Sequence, residues 1–159
     1  MPSLIKPNLK YENDYFKAAA DLVKEVPYYA KSYPLGDLAG QIKRWEELEE
    51  AGQAYRFWLV DGKKYLGTLL LRRDPLSPEG QVHYSINPAE RNKGYGTLIL
   101  KLGLEKAREL NFASVIITCK ETNIASRKII EANGGLFLDK EQKMGEAEEL
   151  TILRYQIKL

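Results

Sequence analysis

The run Arg91-Asn92-Lys93-Gly94-Tyr95-Gly96-Thr97 has the residue types of an anion site. It follows an alternating apolar run (Val82, Tyr84, Ile86) that breaks at Asn87-Pro88. It precedes a segment with apolar residues at Ile99, Leu100, Leu104, Ala107 and Leu110. A strand, a turn and a helix N-terminus in that order leave backbone N–H groups unpaired, and the helix dipole adds partial positive charge. Gly94 and Gly96 let the backbone approach a ligand and adopt positive φ. Arg91 and Lys93 add countercharge. The chemistry this predicts is the binding of a diphosphate. Read without a ligand, the same turn is an ordinary strand-to-helix connection with solvated basic side chains.

Other residues could move protons or hold an amine. Glu79, in a proline- and glycine-rich loop, and His83, inside the following strand, are candidate bases. His83 also reads as a hydrogen-bonded strand histidine. Tyr28, Tyr29 and Tyr33, with Trp45 nearby, are candidates for an amine pocket built on cation–π contacts, or else core and rim packing. Cys119 closes an apolar run and reads as a small core hydrophobe.

The elements that must position these groups follow from periodicity and punctuation. Leu4-Ile5-Lys6 reads as a short strand. Tyr11 to about Glu25 reads as a helix stopped by Pro27, and Asp37 caps a second helix running to about Glu50. Ala54–Val60 and Tyr65–Arg72 flank the hairpin signal Asp61-Gly62. Gln81–Ile86 is the next strand, and Gly96–Leu110 the central helix. Ala113–Cys119, nearly all apolar, predicts a strand buried on both faces. Thr122 or Asn123 caps a helix ending at Gly134-Gly135. Leu136–Leu138 reads as a short strand, Lys140–Glu149 as a charged loop, and Leu150–Ile157 as the closing strand. The order predicts an α/β sheet covered by helices on both faces.

Composition narrows the classes. The chain of 159 residues, 44% hydrophobic and 29% charged, predicts one soluble domain spanning residues 1–159. A net charge of +2 argues against bulk nucleic-acid binding. One cysteine and one histidine argue against a disulfide framework and against a metal site built from those ligands. No long apolar run predicts a signal peptide or a membrane span, so the expected compartment is the cytoplasm.

Three families use a glycine turn before a helix. A nucleotide P-loop needs a lysine beside Thr97, and Gly96 stands there. A Rossmann fingerprint needs a third glycine, and Ile99 stands there, although Glu121 could mimic the ribose-binding acid. Arg91-x-x-Gly94-x-Gly96 resembles the acyl-CoA signature of the GNAT superfamily of N-acetyltransferases. The stretch Glu121–Gly135 resembles that family's second cofactor segment, in the family's order and at its usual spacing. The two segments cover about Val82 to Gly135.

The resemblance implies an α+β fold. Its central sheet is mixed, mostly antiparallel, with six to seven strands, helices on both faces and a splayed central parallel pair. It implies acetyl-CoA as cosubstrate, no metal, and a small-molecule or peptide amine as acceptor, with a homodimer as one assembly. By position, Asn92 to Thr97 offer amides to the pyrophosphate beside Arg91, and the strand through Ile86 holds the pantetheine arm. The Tyr84 main-chain N–H matches the oxyanion donor, while its ring reads as a strand aromatic. Asn123 matches a residue near the thioester and also reads as a helix cap. Ser126 follows one turn later. The family's tyrosine acid falls on Ile130. Its base positions fall on Gly80 and Val82, which cannot titrate, leaving Glu79 as the base and His83, on the opposite strand face, as the alternative. The implied activity is N-acetylation of a primary amine by direct attack on the thioester. The alternatives are a catalytically silent acyl-CoA-binding or sensor domain and a Rossmann-type dinucleotide binder.

Overall fold

The hairpin signal at Asp61-Gly62 sets the first half of the sheet. In the computed structural model, which describes residues 1–159, β2 (Ala54–Asp61) returns as β3 (Lys64–Arg72) through Gly62 and Lys63. Gly62 has φ +58° at the first loop position, as a type II′ turn requires. β1 (Ser3–Ile5) pairs with β2, and β4 (Val82–Ile86) pairs with β3, all antiparallel. The chain then crosses over through α3 (Tyr95–Glu109) to β5 (Ser114–Lys120), which lies parallel to β4. After α4 (Ile124–Ala132), the hairpin of β6 (Leu136–Met144) and β7 (Glu149–Lys158) completes a seven-stranded sheet, ordered β1-β2-β3-β4-β5-β7-β6. The sheet is therefore mixed and mostly antiparallel, with one parallel pair, as the resemblance implied.

Alternation along the strands splits the core in two. One face turns Leu69, Leu71, Val82, Val115 and Ile117 toward Ile99, Leu100 and Leu104 of α3 and Ile130 of α4. The other turns Trp58, Val60 and Tyr65 toward α1 (Glu12–Glu25) and α2 (Leu38–Glu50). Trp58 is fully buried and stacks on Tyr15 at 4.6 Å. Each buried aliphatic or aromatic side chain contributes about 1.5–3 kcal/mol. Asp37 caps α2 by accepting the Gly40 N–H at 3.1 Å.

The C-terminal region differs from the sequence expectation. Leu136–Leu138 is not an isolated short strand before a charged loop, because β6 continues to Met144 along β7. Every residue of β6 is exposed, so neither face demands an apolar alternation that a sequence could display. Asp139, Lys140, Glu141 and Lys143 put charge on an edge strand, which discourages edge-to-edge pairing. The aromatic segment after α1 forms a 3₁₀ turn over Pro27–Lys31.

Candidate active site

β4 is the element around which the site is built. Its pairing to β3 sets Leu69 opposite Tyr84 and Gly67 opposite Ile86. The Asn87 N–H donates to Leu66 O at 2.8 Å and the Arg72 N–H to Gln81 O at 2.7 Å. Alternation of an antiparallel ladder then directs the N–H groups of Tyr84 and Ile86 away from β3, toward β5. β5 does not meet them, because the two parallel strands share the single register pair Val82↔Ile117 and then part. The result is a cleft with aimed, unfilled backbone donors.

The turn after β4 continues that pattern. Asn87 accepts the Ala89 N–H at 3.2 Å and donates to Tyr65 O at 3.1 Å, fixing the exit from the strand. None of the N–H groups of Arg91 through Thr97 has an acceptor within the chain, and the first bond of α3 is Leu98 N–H to Gly94 O. Gly94, at φ +81°, has open space where a Cβ would stand. The two glycines serve different ends. Gly96 lies inside α3 with no positive φ, and a Cβ there would stand 2.5 Å from Ile129 Cδ1. Its smallness seats α4 against α3. The basic side chains are engaged rather than free: Arg91 pairs with Glu25 at 2.8 Å, and Lys93 with Glu90 at 2.7 Å.

α4 brings the second segment to the same cleft. Asn123 caps it by accepting the Ser126 N–H at 3.1 Å. Ser126 Oγ lies 3.0 Å from the Tyr84 hydroxyl. Burial raises the Tyr84 pKa, against the lowering effect of that hydrogen bond, so the phenol keeps its proton at neutral pH. Ile130 is fully buried in the core beneath α3. Burial also pushes the Cys119 thiol up, as expected of a core hydrophobe.

A family model described as an acetyltransferase (GNAT) domain matches residues 6–135. The chain belongs to that family. As a GNAT domain it is an acyltransferase by descent, and its fold recurs in solved acetyltransferases of low identity. The microcin C7 self-immunity acetyltransferase MccE, in complex with acetyl-CoA and AMP, is 13% identical over 99% of this chain and 92% of its own, with a TM-score of 0.79. RimJ of Mycobacterium smegmatis, in complex with CoA-disulfide, is 10% identical over 99% and 81%, at 0.83. The ribosomal-protein-S5-alanine acetyltransferase of Vibrio fischeri is 18% identical over 99% and 91%, at 0.72. No curated protein sequence matches the chain.

The opposite face of β4 in this GNAT domain carries the remaining candidates. The register sets three residues in a row across the sheet: Arg56 on β2, Leu70 on β3 and His83 on β4. The neighbouring row is Trp58, Thr68 and Ser85. Tyr33 is buried with its hydroxyl 2.5 Å from Ser85 Oγ. Tyr29 sets its ring edge-on to His83 at 6.3 Å. Tyr28, 53% exposed, stands apart from both, so the three tyrosines are not one cluster. Burial, helped by Arg72 and Arg56, lowers His83 to about 4 and keeps its imidazole neutral at pH 7. Glu79 is exposed in the loop before β4, with its carboxylate on Arg72 at 2.8 Å. Arg56 and Arg72 escaped the sequence reading. The signal was present: Arg56 alternates with Trp58 and Val60, a charge at an inward strand position.

Proposed function

We propose that this GNAT domain moves an acetyl group from acetyl-CoA to a primary amine, which attacks the thioester directly. The observation that carries the reading is the parting of β4 from β5 after Val82↔Ile117, continued by the acceptor-less N–H groups of Arg91–Thr97. Unfilled donors in a line suit a ligand with a pantetheine-like arm and a diphosphate at its end.

Each group then has a role. The N–H groups of Asn92 to Thr97 bind the diphosphate, with Arg91 and Lys93 leaving their carboxylates to join them. Ile86 and Tyr84 hold the arm through the backbone. The Tyr84 N–H stabilises the charge that develops on the carbonyl oxygen, a donor role that supplies about 3–4 kcal/mol when pre-aimed. Asn123 and Ser126 border the thioester from α4. On the opposite face, Tyr29, Tyr33 and Tyr28 border the acceptor. Glu79, the base expected from sequence, is occupied by Arg72, so His83 takes the amine proton, directly or through water. The Tyr84 phenol, kept protonated beside Ser126, gives a proton to the departing thiolate in the place of the tyrosine that Ile130 replaces. On this reading the protein works in the cytoplasm and needs neither metal nor nucleic acid.

The test is acetyl-CoA turnover with a panel of amines, followed by thiol release and product mass. Peptide N-termini belong in the panel because a neighbouring fold is a ribosomal-protein acetyltransferase. Acetylated product with release of one thiol per acetyl group is expected. CoA binding without turnover would leave the silent acyl-CoA-binding reading, favoured by Ile130 in the core. Nicotinamide dinucleotide binding without CoA binding would leave the Rossmann reading.

A further inference from the structure

Arg56 is a half-buried charged side chain that the fold leaves without a partner. Its Nε is inaccessible and unbonded, and its guanidinium makes no hydrogen bond or ion pair within the chain. The charged and titratable groups that bear on it are Tyr33, Tyr15, Tyr65 and Arg72, with no carboxylate among them. Its carbon centre lies over the Trp45 ring at 4.4 Å, which holds the guanidinium by a cation–π contact. A guanidinium that is partly shielded from water and makes no bond within the chain has donors left for a ligand.

The space beside Arg56 has room for that group. A cavity of about 380 Å³ opens between α2, β2, β3 and the loop before β4, lined by Trp45, Arg56, Leu70, Arg72, Asp74 and Ser77 among others. Arg72 is already committed to Glu79 and to Gly80 O at 3.4 Å. Asp74 accepts the Leu76 N–H at 2.9 Å and is exposed on the loop. Arg56 is therefore the unpaired cation of the cavity. It also shares its cross-strand row with His83, two strands away, or about 10 Å between backbones.

We propose that Arg56 is an acceptor-binding residue, which docks a carboxylate of the amine substrate through its planar fork. The inference rests on the acetyl-transfer reading above and adds the class of acceptor. A carboxylate on Arg56 and an amine at His83 would be held from strands about 10 Å apart between backbones. They fit a peptide N-terminus with an acidic side chain close behind it, or a short peptide with a free C-terminal carboxylate. A guanidinium held over Trp45 presents parallel N–H donors, which match the two oxygens of a carboxylate.

The experiment uses matched peptides that differ in one charge. Ala-Asp-Ala amide is compared with Ala-Asn-Ala amide, and Ala-Ala free acid with Ala-Ala amide, so that side-chain and terminal carboxylates are read separately. Wild-type protein is expected to favour the acid of at least one pair by tenfold or more in kcat/KM, chiefly through KM. In Arg56→Met that preference falls to within about twofold, read as the acid-to-amide ratio within the variant, because losing a charge near His83 changes turnover of both members of each pair. In Arg56→Lys part of the preference returns. A second measurement is independent of turnover: calorimetric binding of the acetylated peptides to the CoA-loaded protein, with the same acid-over-amide preference and the same loss in Arg56→Met. Equal handling of acid and amide in both pairs overturns the proposal, as does a preference that survives in Arg56→Met. Failure to bind CoA at all overturns the acetyl-transfer reading itself, and with it this one.

Discussion

The two sides of β4 are built from different parts of the polypeptide. Toward β5 and α3 the site is backbone: the N–H groups of Tyr84 and Ile86, then those of Arg91–Thr97, shaped by Gly94 at φ +81°. Toward α1 and α2 it is side chain: His83, Ser85, Arg56, Tyr29 and Tyr33, each from a different place in the sequence or a different row of the sheet. A backbone site accepts one shape of ligand whatever the side chains are. A side-chain site is free to change with its acceptor while the strand beneath it stays the same.

That contrast can be broken by substitution. Gly94→Val places a β-branched residue at a left-handed φ and fills open space in the turn. The strain costs about 1–2 kcal/mol of stability. Lost hydrogen bonds to a diphosphate should weaken acetyl-CoA binding by about 3–4 kcal/mol, several hundredfold in calorimetry. Unaltered affinity would mean that the backbone side is not the cofactor side. Gly96 is a poorer probe, since a Cβ there collides with Ile129 and disturbs the packing of α4.

Tyr84→Phe separates the two functions of one residue. It keeps the N–H aimed at the cleft and removes the phenol. The expected result is a fall in kcat of about 100-fold, at the low end for loss of an acid, with acetyl-CoA affinity retained. An unchanged kcat would assign the proton to solvent and make the ring a wall.

On the side-chain face, His83 gives a pH signature. Its folded value of about 4 lies below the 6.5 of a solvated histidine. The unfolded chain therefore takes up the proton first as pH falls. Stability is complete above pH 6.5 and is lost as pH drops toward 4, by at most about 3 kcal/mol. Thermal melts of His83→Gln should lack that part of the acid loss. If the two proteins lose stability in parallel, the ring is open to water and other groups set the acid limit.

Arg91→Gln should have the smallest effect. Its exposed pair with Glu25 contributes about 0.2–1 kcal/mol to stability. Its departure should weaken acetyl-CoA binding by about tenfold or less, with the difference fading in high salt. A larger loss would move the weight of phosphate binding from amides to side chains.

The same contrast explains what could be read in the sequence. Gly94 was legible because the backbone conformation it permits is rare for other residues. The β5 strand was legible because Val115, Ile116 and Ile117 leave few other places for an apolar run to go, although only one face, Val115, Ile117 and Cys119, is buried and not both as expected. The cap at Asn123 was legible from residue type and position. The face proposed for the acceptor was not, because Trp45, Arg56, Arg72 and His83 stand on four elements that only packing brings to one side of the sheet, and no spacing along the chain records that. Tyr28, Tyr29 and Tyr33 looked like a group because they are close in sequence, yet only Tyr29 and Tyr33 pack ring against ring, at 6.0 Å, while Tyr28 is exposed. The part of β6 beyond Leu138 was mistaken for a loop because a strand exposed on both faces has no inside to mark.

The parted strands have a further consequence for how the protein would be assayed. A chain that leaves a parallel pair unfinished hands part of its own sheet pairing to whatever enters the cleft. Melting temperature then becomes a gauge of ligand supply. At a hundredfold excess over its dissociation constant, a ligand confined to the folded state adds about 2.7 kcal/mol. For a protein with so open a seam, the apo form and the loaded form are two different thermal objects, and a stability quoted for one does not describe the other.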